Sequence, residues 1–374
     1  MLASTPGRQH LVLGAQLRSR IVVGQTKDRI THHDDGRAIA VRRMSTIAIT
    51  SLIVVLLATP LTVEAQPPSK VWRIGTLAIA GPTDTPPPPP ENWEAFLQGL
   101  REAGYVEGRN VTFEARSARG RPERFPELAA ELVRLNVDVI FARGPEAVRA
   151  AKAATQASAT PIVAVDLESD PVAARLVGSL AKPGGNVTGT FLDLAELSGK
   201  QLQLLREILP GLSRIAALGH PTTNAAQLRA VEVAAGTLGM RVQTLALRAG
   251  ADLGTAFEAA TRERAGSIIV LGSPLSLLHR VQIGELALKH RLPTMFGYRP
   301  HVEAGGLISY GPNLAAMFRQ CGVYVGKILT GSKPADLPIE RPTRFDLVIN
   351  TKTTKALSLT IPPSLLLRAD QVIQ

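Results

Sequence analysis

Few side chains in this sequence are spaced for catalysis, and those with chemistry to offer sit where strands give way to helices. Glu168-Ser169-Asp170 follows the short β-branched run Pro161–Val165 and precedes Pro171. Carboxylates there suit an ammonium group, while the hydroxyl and the amides of an opening helix suit a carboxylate. His220, His279, His290 and His301 are scattered, without HxxxH spacing or cysteine partners, so no metal site is expected. No GxGxxG follows a strand, and neither GxxxxGK[ST] nor GxSxG occurs, which leaves no motif for a nucleotide cofactor or a nucleophile elbow. No cofactor is expected. A nucleophile–base pair assembled from distant segments is the remaining catalytic alternative.

One pattern does recur. A strand ends in a small or polar loop that opens a helix at Gly81-Pro82, Arg143-Gly144-Pro145, Glu168-Ser169-Asp170, His220 to Asn224 and Gly272-Ser273-Pro274. In open α/β sheets such loops converge at the carboxyl ends of the strands, where ligands bind. Asp170, Glu168, Ser169, Arg143 and Gly144 are therefore the candidate ligand contacts from the first half. Thr222, Asn224 and Ser273 are those from the second, and Tyr298 could wall an apolar ligand or pack a hinge. The plain alternatives are helix capping for Asp170, Thr222 and Asn224, and a solvated loop for Arg143.

The elements that must position these residues alternate in type. Strands are expected at Val71–Ala80, Val111–Ala115, Val137–Ala142 and Pro161–Val165. Helices are expected from Asn92, over Glu123–Leu135, over Glu146–Ala157 and over Asp170–Leu180. Pro183-Gly184-Gly185-Asn186 then marks a crossover. The same grammar restarts, with helices at Leu197–Leu209, Ala225–Leu238, Leu253–Glu263 and Ser276–His290. Its strands are Arg214–Leu218, Arg241–Leu247, Ser267–Leu271 and Pro293–Phe296. A helix at Leu314–Leu329, an extended stretch Leu337–Asn350 and a terminal helical segment follow. Two such runs predict an α/β protein of two Rossmann-like lobes with parallel sheets, joined by three hinge crossings. The lobes are expected at 66–188 plus about 300–335, and at 189–299 plus about 336–374.

Bulk composition narrows the partners. The 374 residues carry a net charge of +11, yet 1–43 alone hold eight Lys/Arg against three Asp/Glu, and no basic block follows. With 4% aromatic residues there is no stacking row either, so nucleic acid is not an expected partner. Arg42-Arg43-Met44, the apolar run Ile47–Leu57 and Val63-Glu64-Ala65 before Gln66 predict a cleavable signal peptide over 44–65 and a periplasmic protein. Residues 1–43 then read as a non-native upstream leader. The single Cys321 cannot form an internal disulfide and reads as a buried small hydrophobe. Pro86–Pro90 reads as a stiff loop near the cleft.

Several segments carry a resemblance: FLQGLREAGYVEGRNV (96–111), FPELAAELVRLNVDVI (125–140), SLAKPGGNVTG (179–189), VEAGGLISYGPN (302–313) and the tail from GKILTGSKPADLPIE (326–340). In that order they resemble the ABC-transporter substrate-binding protein family that includes tryptophan/tyrosine-type binding components. The five-proline insert departs from the family pattern. The resemblance implies a type I periplasmic-binding-protein fold and a small ligand, amino-acid-like and aromatic in the leading case, captured by hinge closure. It also implies delivery to a membrane permease powered by a separate ATPase, by a protein that is not an enzyme and acts as a monomer. A ligand-sensing module for a receptor and a periplasmic α/β enzyme are the alternatives.

Overall fold

A computed structural model describes residues 70–81 and 90–374. The leader, the signal peptide and Pro86–Pro89 lie outside the described residues. In chain order the first lobe holds β1 (Trp72–Ala78), α1 (Pro90–Glu102), β2 (Val111–Ser117), α2 (Phe125–Arg134), β3 (Val139–Arg143), α3 (Pro145–Ala154), β4 (Ile162–Asp166) and β5 (Val187–Phe191). Its strands pair in the order β2-β1-β3-β4-β5, all parallel.

The sequence alternation explains the layering. In β3 and β4, Val139, Phe141, Val163 and Val165 face one side and pack under α1. Ile140, Ala142, Ile162 and Ala164 face the other and pack with Leu128 and Leu132 of α2 and Val148 of α3. Both faces of the sheet are covered, so β4 is buried along its whole length, and Ile162 to Val165 read as a continuous apolar run before Asp166. Phe96 of α1 stacks on Phe141 at 4.2 Å between centroids, a contact worth about 1 kcal/mol beyond the area it buries.

The second lobe holds α4 (Ser198–Ile208), β6 (Arg214–Gly219), α5 (Ala225–Thr237), β7 (Arg241–Ala246), α6 (Asp252–Arg262), β8 (Ser267–Val270), α7 (Pro274–Leu278), α8 (Arg280–Lys289), β9 (Thr294–Phe296), α9 (Arg299–Glu303) and β10 (Ile308–Pro312). The chain then returns to the first lobe as α10 (Leu314–Leu329), which packs against α1. It finishes in the second lobe with β11 (Phe345–Asn350), α11 (Thr351–Ala356), α12 (Pro363–Arg368) and β12 (Gln371–Ile373). The second sheet runs β12-β11-β10-β9-β8-β6-β7.

Four expectations need correction. The helix expected over Asp170–Leu180 is a single turn. Asp170 Oδ1 accepts from the amides of Val172 and Ala173 at 2.8 and 3.0 Å, but Arg175 takes a φ of 57° and ends the turn. Lys152 Nζ then holds the freed carbonyls of Arg175 and Leu176 at 2.6 and 2.7 Å, so nothing favours continuing the helix. The helix expected over Ser276–His290 breaks at His279 into α7 and α8. Ile308–Pro312, placed by sequence in the first lobe, pairs in the second sheet, and the return crossing comes after it. The sheet is not wholly parallel, because β11 runs antiparallel to β10. Physically, β11 enters from the first lobe at the end where β10 leaves, with Phe345 opposite Pro312, so it must run the other way.

The three crossings lie after Phe191, around Asn313, and around Arg341–Arg344. Before the last crossing, Glu340 bridges to Thr190 beside β5 and accepts from Tyr324 Oη at 2.8 Å and Gln320 Nε2 at 2.7 Å. The first and third crossings are tied by Arg341, which donates to both Glu196 oxygens at 2.6 and 2.7 Å. Cys321 is buried on α10, with Thr190 Oγ1 and Ala164 O each 3.4 Å from its sulfur. Burial pushes its thiol up to about 12, so it stays a neutral packing group.

Candidate functional site

A cavity of about 90 Å³ lies between the lobes at the carboxyl ends of the strands. The first lobe contributes Ala78–Ala80 after β1, Asn92 of α1, Arg143-Gly144 after β3, and Val165, Leu167 and Glu168 around the end of β4. The second lobe contributes Pro274, Leu277 and Leu278 of α7 and Tyr298 after β9, while Leu314 and Phe318 of α10 close the hinge side. Most of this wall is aliphatic or aromatic. Among the described residues that line it, Glu168 and Arg143 are the charged ones. An apolar cleft with a few fixed polar groups is the usual form of a small-molecule site.

The electrostatics concentrate at the end of β4. Asp166 is fully buried; its Oδ1 accepts from the Glu168 amide at 3.0 Å, and Ser169 Oγ donates to its Oδ2. Burial pushes Asp166 up to about 6. Glu168 is buried beside it, and Tyr298 Oη donates to its Oε1 at 2.5 Å across the lobes. Desolvation first, and then the Asp166 charge, hold Glu168 well above the usual carboxylate range. Burial and the same two carboxyls raise Tyr298, so it remains a phenol and a donor.

These shifts carry a pH signature. A carboxyl raised on folding favours the folded state at low pH, and that advantage fades as pH rises from its unfolded value through about 6 for Asp166. His301, pushed down to about 4 by burial, acts in the opposite sense over an overlapping window. The discriminating measurement is therefore a difference. Asp166→Asn is expected to gain stability relative to wild type as pH rises from 4 to 7, by on the order of 2 kcal/mol in ligand-free urea melts. A difference that stays flat across that range would refute the buried-carboxyl assignment.

A second contact across the lobes lies at the cleft mouth. Thr223 Oγ1 donates to Glu146 Oε1 of α3, with His220 Nδ1 3.0 Å from the same hydroxyl. Gly144 approaches Pro274 nearby, both lining the cavity.

A family model described as ABC transporter substrate binding protein matches residues 90–373. The chain belongs to that family. It shares 25% identity over 271 residues with a tyrosine-binding protein of Clostridioides difficile strain R20291, covering 71% of this chain and 76% of the relative. Among solved structures it is similar to a conserved domain protein of Vibrio cholerae O1 biovar El Tor, with a TM-score of 0.73, 28% identity, and coverage of 81% of this chain and all of that one. It is also similar to the ABC domain from Streptococcus pneumoniae in complex with L-Trp, with a TM-score of 0.72, 25% identity, and coverage of 81% and 99%. The two-lobed α/β architecture expected from sequence, of the type I periplasmic-binding-protein kind, is the fold observed.

In this substrate-binding protein the sequence-predicted site residues divide in two. Glu168, Arg143, Gly144 and Tyr298 come together on the cavity wall. The others lie outside that lining. Asp170 is exposed and caps its own turn, and Ser169 serves Asp166. Thr222 is exposed, with His220 Nδ1 3.1 Å from its hydroxyl. Asn224 is buried and holds loops together, accepting from the His220 amide at 2.8 Å and donating to Gly272 O at 2.6 Å. Ser273 caps α7 through the amide of Ser276. Asp170→Ala is accordingly expected to cost about 1 kcal/mol in a urea melt, as loss of a cap. Ligand affinity should stay within about twofold of wild type.

Sequence reading missed Asn92, Leu314, Phe318 and Glu146. Leu314 and Phe318 sit more than 130 residues from Glu168 in the chain, and only the second crossing brings them in. Glu146 carried a usable signal, since it follows the Gly144-Pro145 turn that was already singled out.

Proposed function

We propose that this protein is the non-catalytic receptor of an ABC importer, exported through the signal peptide at 44–65 to the periplasm. It closes as a monomer on an amine-bearing ligand with an apolar body and presents it to a membrane permease driven by a separate ATPase. The observation that carries the reading is the apolar interlobe cavity with Glu168 and Arg143 in its wall. An acid and a base spaced by hydrophobic surface suit an amino acid with a large side chain. An aromatic amino acid is the leading class, in keeping with the names of the C. difficile and S. pneumoniae relatives. Glu168 would meet the ammonium, Arg143 the carboxylate, and Tyr298 and Phe318 the ring, with Gly144 leaving room for closure. Lobe closure upon the ligand supplies the signal that a permease can read. Among the described residues no helix is long and apolar enough to cross a membrane.

The test is a thermal-shift panel of amino acids, their amines and their desamino acids on the purified protein. A saturable rise in melting temperature with one aromatic amino acid, and the ligand recovered intact, supports a receptor. Chemical conversion of the ligand would instead support an enzyme.

A further inference from the structure

Glu168 lines the cavity, and its carboxyl is not part of an ion pair. None of the ion pairs among the described residues includes Glu168 or Asp166. We propose that Glu168 is the charge selector of this cavity: it is protonated in the empty protein and takes a ligand's primary ammonium group by releasing that proton to solvent. The inference rests on the receptor reading above and gives it a chemical rule for choosing ligands.

The geometry around the carboxyl supports this. Asp166 lies two residues away and has both oxygens occupied, by the Glu168 amide and by Ser169 Oγ. From the second lobe Tyr298 donates to Oε1 at 2.5 Å, and the Leu167 amide is 3.3 Å from Oε2. From α3, Glu146 adds a further negative charge; Arg149 acts on Asp166 and lies 3.6 Å from Glu146. From β3, Arg143 directs Nη2 to Ala80 O at 3.1 Å. The faces from α7 and α10 are apolar, with Leu277, Leu278, Leu314 and Phe318.

Two neighbouring buried carboxyls that repel each other do not readily both ionise, and desolvation favours keeping a proton on the pair. The fields of Asp166 and Glu146 act on Glu168 in the same direction. An incoming ammonium supplies the missing charge. In the exchange the carboxyl O–H bond breaks and its proton goes to solvent. The ammonium keeps its three hydrogens and pairs with the new carboxylate, and no electrons are transferred. The Tyr298 phenol donates to Oε1 in either state, and Oε2, approached by the Leu167 amide at 3.3 Å, keeps a lone pair for the ligand. Two consequences follow. A neutral or anionic isostere of the ligand forgoes the ion pair, so it binds more weakly than the amine and its binding releases no proton from Glu168. Affinity for the amine rises about tenfold per pH unit while Glu168 of the free protein is protonated, and levels off above that range.

The test is isothermal titration of the full chain with L-tryptophan near pH 6, in phosphate and in bis-Tris. These buffers differ in ionisation enthalpy, so the heat difference counts protons. L-tyrosine, tryptamine and indole-3-propionate complete the set. The expected result is release of about one proton per bound amine. Indole-3-propionate should bind at least about tenfold more weakly. Glu168→Gln should bind with less proton release than wild type and with a shallower pH slope, any remainder coming from Asp166. Tyr298→Phe keeps the release but moves the plateau to higher pH, because the carboxylate has lost a donor. Equal heats in the two buffers, or equal affinity for indole-3-propionate, overturn the inference while leaving the receptor reading intact. No binding by any of the three amines overturns the aromatic-amine reading and the inference with it.

Discussion

Gly322→Val is expected to leave the first lobe unable to hold its native packing, with loss of more than about 4 kcal/mol of stability and poor recovery of folded protein. Helices α1 and α10 meet backbone to backbone. A Cβ at Gly322 would stand 2.1 Å from Phe96 O, and one at Gly99 would stand 2.0 Å from Arg319 O. The obstructing atoms are carbonyls of the partner helix, which cannot rotate away as a side-chain tip could. The helices would have to separate, and the side chains between them would lose their contacts together. Phe96, Leu100, Tyr324 and Val325 are each no more than 1% exposed. The stack of Phe96 on Phe141 depends on the same approach. Urea melts followed by circular dichroism give the measurement. Gly236→Ala in α5 is the control, since nothing lies within 4 Å of its would-be Cβ. That change should stabilise by about 0.5–1 kcal/mol. Near-wild-type stability for Gly322→Val would mean that α1 and α10 do not pack this closely.

Gly144→Val is expected to weaken ligand binding by about 100-fold, equivalent to about 2.8 kcal/mol, chiefly by blocking closure. Gly144 has a φ of 88°, and its Cβ would fall 2.5 Å from Cγ of Pro274 in the facing lobe. The backbone strain, about 1–3 kcal/mol, is present whether the lobes are open or closed. The collision with Pro274 exists only when they meet. The two contributions separate in a double-mutant cycle with Pro274→Ala, which removes the obstructing Cγ. Partial recovery of affinity in the double variant, and a larger radius of gyration for the single variant in X-ray scattering, are the expected outcomes. If Pro274→Ala restores nothing, strain at residue 144 accounts for the loss and the closure argument fails.

Much of the fold was legible because its signals are local. The runs at Val137–Ala142 and Pro161–Val165 are short, β-branched and bounded by turn residues, and each became a buried strand. The Asn92 helix declared itself through Trp93, Phe96, Leu97 and Leu100. The errors share a cause. Asp170-Pro171 has the composition of a helix start, and Asp170 does cap, but Arg175 reverses the backbone and Lys152, more than 20 residues upstream, secures the reversal. Residues 308–312 look like any other strand. Which sheet they join depends on neighbours that have no local signature.

By itself the sequence determined two alternating runs of strands and helices, the loops at the strand ends, and the family to which the chain belongs. Periodicity and turn chemistry act over a few residues, so they survive in a linear reading. Only the tertiary structure decided which of two neighbouring acids lines the cavity. Glu168 lies there because it follows directly on the end of β4 at Asp166, and Tyr298, 130 residues away, meets its carboxyl from the other lobe. Asp170 is turned outward with its carboxylate spent on two amides of its own turn. The charge environment that raises Glu168 likewise comes from burial and from Asp166 and Glu146, which only the packed sheet and α3 bring within range. Composition specifies that a carboxyl is present, but its direction and its proton are fixed by the surfaces that fold around it.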